Sequence, residues 1–410
     1  MDSTKQAQNQ AQKLRAWWAH RQGLDGTLAG ARLTEAKPAD VLARAGWARS
    51  VGGTAPYLTL FARAGTSREV ADRAVAALDI HELPAARGCT YVVPAADFSL
   101  ALRAGQAFGD GEMKVAAKLG VTEKEVGKLC EAVVKALEQG PLDPDEIRQR
   151  VGKAARSLGE EGKKKGISTT LPLALGKLQS AGEIRRVSQN GRLDQQRFRY
   201  TLWRPNPLAA FLLSAEETYT ELARRFFSWI GPASLADFQT FAGIGVKAAK
   251  AAVEPLKLET LDADDGRMLL PADRSRFEAF RVPAEPNYAV VSNLDGLSLL
   301  RQDLSSLIDE ADLARDVFEG RRTQAGGNLS FLNSPTVFDR GRLVGLWEYD
   351  PATESIAWMA FIKKNKALEA AIARTQVYVR EQLGDVRVSP LDSPKSRAPR
   401  IEALRKAAAG

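Results

Sequence analysis

Groups able to do chemistry are sparse in this 410-residue chain. The two histidines, His20 and His81, are far apart in sequence, so they do not form the i, i+4 pair that would hold a metal on a helix. Each reads as a structural residue. The two cysteines, Cys89 and Cys130, fall outside any C-x-x-C spacing, which argues against a disulfide framework or a zinc site and points to a reducing, cytoplasmic home. No Walker A loop, dinucleotide fingerprint or G-x-S-x-G elbow occurs, so no cofactor and no metal are expected. Carboxylates are plentiful, but pairs such as Glu160-Glu161 and Asp264-Asp265 read as solvated surface or loop acids. Residue types alone supply no confident catalytic group.

Cations are distributed less evenly. Residues 147–204 contain fourteen Lys and Arg against four acids, a local charge of +10 in a chain whose total is +8, which leaves −2 for everything else. One concentrated basic segment on a near-neutral body is the electrostatic footprint of a nucleic-acid reader. No apolar run reaches about 18 residues and the N-terminus lacks the apolar core of a signal peptide, so neither a membrane span nor export is expected.

The basic segment lies in a legible order of elements. Thr122 caps the helix KEVGKLCEAVVKALEQ, whose Val126, Leu129, Val133 and Leu137 recur at helical spacing until Gly140-Pro141 ends it. Asp143 and Pro144 begin a shorter helix, and EEGKKKGISTT leads into a third, LPLALGKLQSAGE. IRRVSQNGRLDQQRFRYTLW then reads as two strands joined at a tight Asn190-Gly191 turn. Helix, helix, helix and β-wing is the order of a winged helix-turn-helix.

The expected fold class is α+β, with tandem winged-helix units followed by a β-rich C-terminal domain. The first unit (1–118) has a frayed start over residues 1–9 and helical patterns at about 10–22, 38–49 and 54–64. A Ser67-capped helix runs on to Leu78, and a strand covers 88–93. The basic winged helix spans 119–206, and 207–284 reads as a weaker third copy. Residues 285–388 alternate as strands with turns at 339–341 and 350–353 before a closing helix, and the Pro- and Ser-rich 389–410 reads as a flexible tail.

In a winged helix the N-terminal end of the third helix faces the DNA backbone. Lys163, Lys164 and Lys165 lie just upstream of that end. Ser168, Thr169 and Thr170 offer hydroxyls and backbone amides there, and Lys177 lies on the helix itself. The wing adds Arg185, Arg186, Arg192, Arg197 and Arg199. Gln179, Gln189 and Asn190 have base-reading side chains but read as solvated amides. Duplex DNA is the expected partner of a monomeric protein. RNA is disfavoured, because no aromatic stacking strand of a known RNA-binding motif is present.

Several phrases, LRAWWAHRQGL (14–24), APYLTLFAR (55–63), ARGCTYVVPAADFSLAL (86–102), LDGLSLLRQD (294–303) and GRLVGLWEYD (341–350), occur in one order over most of the chain. Together they resemble the winged-helix DNA glycosylases of the AlkZ and YcaQ type. The resemblance implies hydrolysis of the N-glycosidic bond of alkylated bases, with a water placed by a Gln-x-Gln or Gln-x-Asp motif a few residues before an Ala-Pro-Tyr-like segment. Anchored on Ala55-Pro56-Tyr57, that motif falls on Arg49-Ser50-Val51, and residues 45–60 contain no Gln, Asn, Asp or Glu. Neither a guanidinium nor a valine can orient a nucleophilic water, and Arg49 would repel the developing positive charge. Gln6-Ala7-Gln8 and Gln10-Ala11-Gln12 match the pattern without its context and read as composition.

Three readings follow. The first is a DNA-binding protein without the family-type pair, in which Arg49 meets a phosphate or base and Gly52-Gly53 allows a close backbone approach. The second is an active glycosylase using other acids, Glu82, Asp97 or Asp295, although Asp295 suits a turn or strand end better. The third is a protein-interaction scaffold.

Overall fold

Ser67, Thr122, Asp143, Ser214, Ser234 and Asn365 each accept a hydrogen bond from a backbone N–H in the turn that follows, satisfying a donor that the helix cannot pair internally. Three of these are reciprocal capping boxes, closed by Glu146, Glu217 and Asp237. These six helix starts are thus set locally. The computed structural model describes all residues except 1, 29–35, 107, 109, 196, 262–265, 314, 316–331, 390 and 410. The acids Asp264 and Asp265 lie outside the described residues.

The N-terminal helix covers Asp2–Arg21, so the expected fraying of residues 1–9 is not seen over residues 2–9. Gln6, Gln8, Gln10 and Gln12 are all exposed on it. Its far end is anchored by two buried tryptophans. Trp17 donates its indole N–H to the Gly231 carbonyl at 2.8 Å and Trp18 to that of Pro232 at 3.0 Å.

Helix Pro38–Ala45 stops short of residue 49, because Gly46 at φ 97° turns the chain into a strand, β1 (Ala48–Arg49). Helices Ala55–Ala64 and Arg68–Ala76 follow, then β2 (Ile80–Pro84) and β3 (Thr90–Pro94). The three strands form an antiparallel sheet in the order β1-β3-β2, which sets Ala48, Val92 and Glu82 in one row. One face packs on Tyr57, Leu58 and Phe61. The other, through Trp47, Tyr91 and Val93, shares an aromatic core with Phe226, Trp229 and Phe241.

The basic segment has a core of its own, built on Val126, Leu129, Val133, Ile147, Leu178 and Tyr200. Its helices are Glu123–Leu137, Pro144–Val151, Gly159–Lys164 and Leu171–Ser180, the third being an additional short element inside EEGKKKGISTT. The hairpin pairs β4 (Ile184–Ser188) with β5 (Phe198–Leu202), from Ile184 opposite Leu202 to Ser188 opposite Phe198. Its connection is therefore the whole of 189–197, not a two-residue turn at Asn190-Gly191. The extra length is used to reach the body: Leu193 is buried there, and its N–H donates to the Tyr57 hydroxyl at 2.7 Å.

Helices Ala215–Ile230, Leu235–Ala242 and Val246–Val253 precede a short pair, β6 (Glu259–Thr260) with β7 (Met268–Leu269). A four-stranded antiparallel sheet follows, formed by β8 (Tyr288–Val291), β9 (Thr336–Asp339), β10 (Arg342–Asp350) and β11 (Ser355–Ala360) in that order. The turn at 339–341 is as expected from the sequence, and helix Lys366–Tyr378 closes the unit.

The flexible tail expected over 389–410 is overturned. Pro394–Ala409 is a helix whose Ile401 and Leu404 are buried. Arg397 has no exposed surface, donates to the Val386 carbonyl at 2.6 Å and pairs with Asp385 at 2.8 Å. Composition suggested a loose end because the residues that hold it are far away in sequence.

Candidate nucleic-acid interface and active-site position

The sequence-derived cations differ in what surrounds them. Lys163, Lys164, Lys165, Lys177 and Arg197 are exposed, whereas Arg185, Arg186, Arg192 and Arg199 are half-buried. Lys163 pairs with Glu160 at 2.6 Å and Lys177 with Glu123 at 3.0 Å, both in open solvent where such pairs are weak and readily exchanged. Arg199 faces Glu146 at 3.0 Å. Arg192 is committed inward, to Asp194 at 2.6 Å and to the Leu383 carbonyl at 3.2 Å. Ser168 is exposed and Thr169 half-exposed, but Thr170 is wholly buried and accepts from the Arg156 N–H at 3.1 Å. Gln179 is also buried, with its amide donating to Leu175 O at 3.2 Å.

A cleft of about 490 Å³ separates the basic segment from the first sheet. Gly176, Lys177 and Gln179 of helix Leu171–Ser180 and Arg186 of the wing line one side, and Glu82 of β2 and Thr90 of β3 line the other. Arg49, on which the resemblance would place the first residue of the motif, lies on the same sheet. There Arg49 donates to the carbonyls of Thr90 at 2.6 Å and Ser50 at 3.0 Å, and its guanidinium is 5.3 Å from the Tyr91 ring centre. Its side chain thus closes β1 onto β3. Ser50, between the two motif positions, is fully buried and donates its hydroxyl to the Glu82 carboxylate. Burial pushes the Glu82 carboxyl above its ordinary range, opposed by the Ser50 hydrogen bond and by the charges of Arg186 and Arg49.

The other two acids both face other partners. Asp97 accepts from the Trp47 indole at 2.9 Å and faces Arg225 at 3.0 Å. Asp295 has no exposed surface: its two oxygens receive Arg63 at 2.6 and 2.9 Å, and Oδ1 also caps the helix at Leu297 N. Two of the five phrases that supplied the resemblance, APYLTLFAR and LDGLSLLRQD, are therefore joined by a bidentate pair.

Gly52-Gly53 also has a structural use. A Cβ on Gly53 would sit 2.1 Å from the Arg387 carbonyl oxygen, to which Thr54 N donates at 2.8 Å. What approaches this glycine is the protein's own strap at 387–388.

Comparison with known proteins fits this geometry. The family model described as DNA glycosylase AlkZ-like matches residues 48–376. The chain belongs to the AlkZ-like DNA glycosylase family. Among solved structures, the Streptomyces sahachiroi DNA glycosylase AlkZ is similar over 92% of this chain and 98% of that one, with a TM-score of 0.64 at 19% identity, which is a likeness of fold. No protein with a curated description matches. Among the described residues no helix is long and apolar enough to cross a membrane.

Within this AlkZ-like frame the link from Ser50 to Glu82 escaped sequence reasoning, because β2 had no clear strand pattern and 32 residues separate the partners. The inward tie of the wing through Tyr57 and Arg192 escaped it as well.

Proposed function

We propose that this AlkZ-like protein binds duplex DNA through the basic segment, used as a winged helix, and that it lacks the family-type water-positioning pair. One observation carries the reading: the cleft has Lys177 and Arg186 on one wall and the motif-bearing sheet on the other, while Arg49 is spent on the carbonyls of Ser50 and Thr90. Cations along such a cleft suit phosphates. A guanidinium locked at the motif position supplies neither a water acceptor nor shielding for an oxocarbenium ion. The test is a fluorescence-anisotropy titration of duplexes with and without N7-methylguanine, at several salt concentrations, together with a single-turnover assay for abasic sites. Salt-sensitive binding with no base release is expected. Binding unaffected by salt would refute the DNA reading.

A second reading has one observation in its favour. Glu82 borders the cleft and holds the Ser50 hydroxyl, so a carboxylate and a hydroxyl stand together beside the vacated motif positions. A carboxylate of this kind can take a proton from water. Base release by the unmodified protein, abolished in Glu82→Gln with duplex affinity retained, would establish this second reading over the first.

A further inference from the structure

Strand β2 is the free edge of the first sheet. Between it, the wing and the end of helix Arg68–Ala76 is a second cavity, of about 260 Å³. Val75, Ala76, Leu193 and Phe198 give it apolar walls, and its polar groups are His81, Glu82, Arg185 and Arg186. Arg192 also borders it but is already paired with Asp194.

The polar groups are unusually under-used. His81 is buried to 4% exposure, packs edge-on to Trp203 at 5.2 Å, and neither ring nitrogen has a hydrogen-bond partner. Arg186 has an enclosed Nε without an acceptor, although its guanidinium lies over the Phe198 ring at 5.2 Å. Burial lowers the pKa of Arg185, with no carboxylate opposing the shift. Glu82 is their one neighbouring acid: burial raises its pKa against the charges of Arg186 and Arg49, and Ser50 already occupies one oxygen. Burial and the two guanidiniums push His81 down to about 3, so the imidazole adds no charge and instead offers one N–H and one lone pair. Buried polar groups are normally satisfied, whereas the Arg186 Nε and both His81 ring nitrogens are not. The cavity thus has donors and two guanidiniums against one carboxylate at one end, and apolar walls at the other.

We propose that this cavity binds a small monoanion with an apolar body, of the aromatic or branched monocarboxylate class. The carboxylate is received by Arg185 and Arg186, with His81 completing its hydrogen bonds, and the body packs on Val75, Leu193 and Phe198. Such a ligand would hold the two wing arginines together, a consequence for DNA affinity that rests on the reading above; the site itself does not.

Isothermal titration of the full chain with benzoate, benzamide and inorganic phosphate tests the site without DNA. Saturable benzoate binding is expected, weakened about tenfold or more in Arg185→Met and in Arg186→Met, as befits removal of one charge-assisted hydrogen bond. Each variant's thermal midpoint without ligand shows whether it folds. His81→Phe gives a further variant, expected to weaken benzoate binding less than either arginine change. Benzamide binding as tight as benzoate would overturn the anion requirement. Phosphate binding without benzoate would overturn the apolar body and leave a bare oxyanion site. Absence of benzoate binding to the folded wild-type protein would overturn the proposal outright.

Discussion

Two carboxylates singled out by sequence, Asp295 and Glu82, end up in opposite circumstances. Asp295 is held on both oxygens by Arg63, itself bonded to Gln22 and Thr59, and nothing in the ion pair is exposed. Glu82 has one hydroxyl on one oxygen and stands between two cavities. A saturated acid is a joint, because every lone pair that could act on a ligand is already assigned. An acid with spare valence beside empty space is where chemistry or ligand recognition remains available. From the sequence both were alternative acids, Asp295 being better suited to a turn or strand end, and their bonding separates them.

The largest test of that contrast is Asp295→Ala. Removing one partner of a buried pair leaves Arg63 charged and enclosed, which costs about 3–5 kcal/mol. Denaturant unfolding should show this as a fall in midpoint with little change in slope. A destabilisation below about 1 kcal/mol would mean that the pair is not the joint described here.

Tyr57→Phe comes next. The hydroxyl donates to Asp72 and accepts from Leu193 N, so its removal strands a buried amide at the wing tip and costs roughly 1–3 kcal/mol. Hydrogen exchange at Leu193 should accelerate before global stability is lost, because the wing is the element released.

Glu82→Gln is expected to be milder, under about 1 kcal/mol, since the amide can still accept from Ser50. Its signature is in the pH profile. With the folded pKa above its ordinary 4.5, the native state keeps a proton that the unfolded state has released, so this group's contribution falls as pH rises through that window. Its neighbour has the opposite sign. His81, at about 3 against an ordinary 6.5, favours folding above 6.5 and loses that contribution as pH falls toward 3. Subtracting the Glu82→Gln profile from the wild-type profile isolates the first effect. A flat difference would show that Glu82 is not held toward its neutral form.

The contrast also marks what the sequence could reveal. Caps at Ser67, Thr122 and Asp143 were legible because each bond closes within a few residues. The 339–341 turn was legible for the same reason. That residues 45–60 hold no Gln, Asn, Asp or Glu was legible as well. Hidden were the features decided by partners far away in sequence, such as the tail helix held by the Arg400 pair with Glu348 and by its buried Ile401 and Leu404. The tie of Leu193 to Tyr57 was hidden likewise, since a tight turn and a long reaching loop can both begin with Asn-Gly. Glu82 was found as a candidate, but its partner Ser50 required the sheet.

The smallest expected stability effect belongs to the surface cations, and it sharpens the contrast from the other side. Lys164 and Lys165 are exposed and sit on the short helix Gly159–Lys164 and at its end. Changing both to Ala should leave unfolding free energy within about 0.5 kcal/mol, because both side chains stand in solvent. On the proposed DNA reading the same change should lower duplex affinity and reduce the log-log salt slope by about 0.9 for each phosphate no longer neutralised. A double variant with unaltered stability and unaltered salt slope would confine DNA binding to Lys177 and the wing, on the wall of the cleft that faces Glu82.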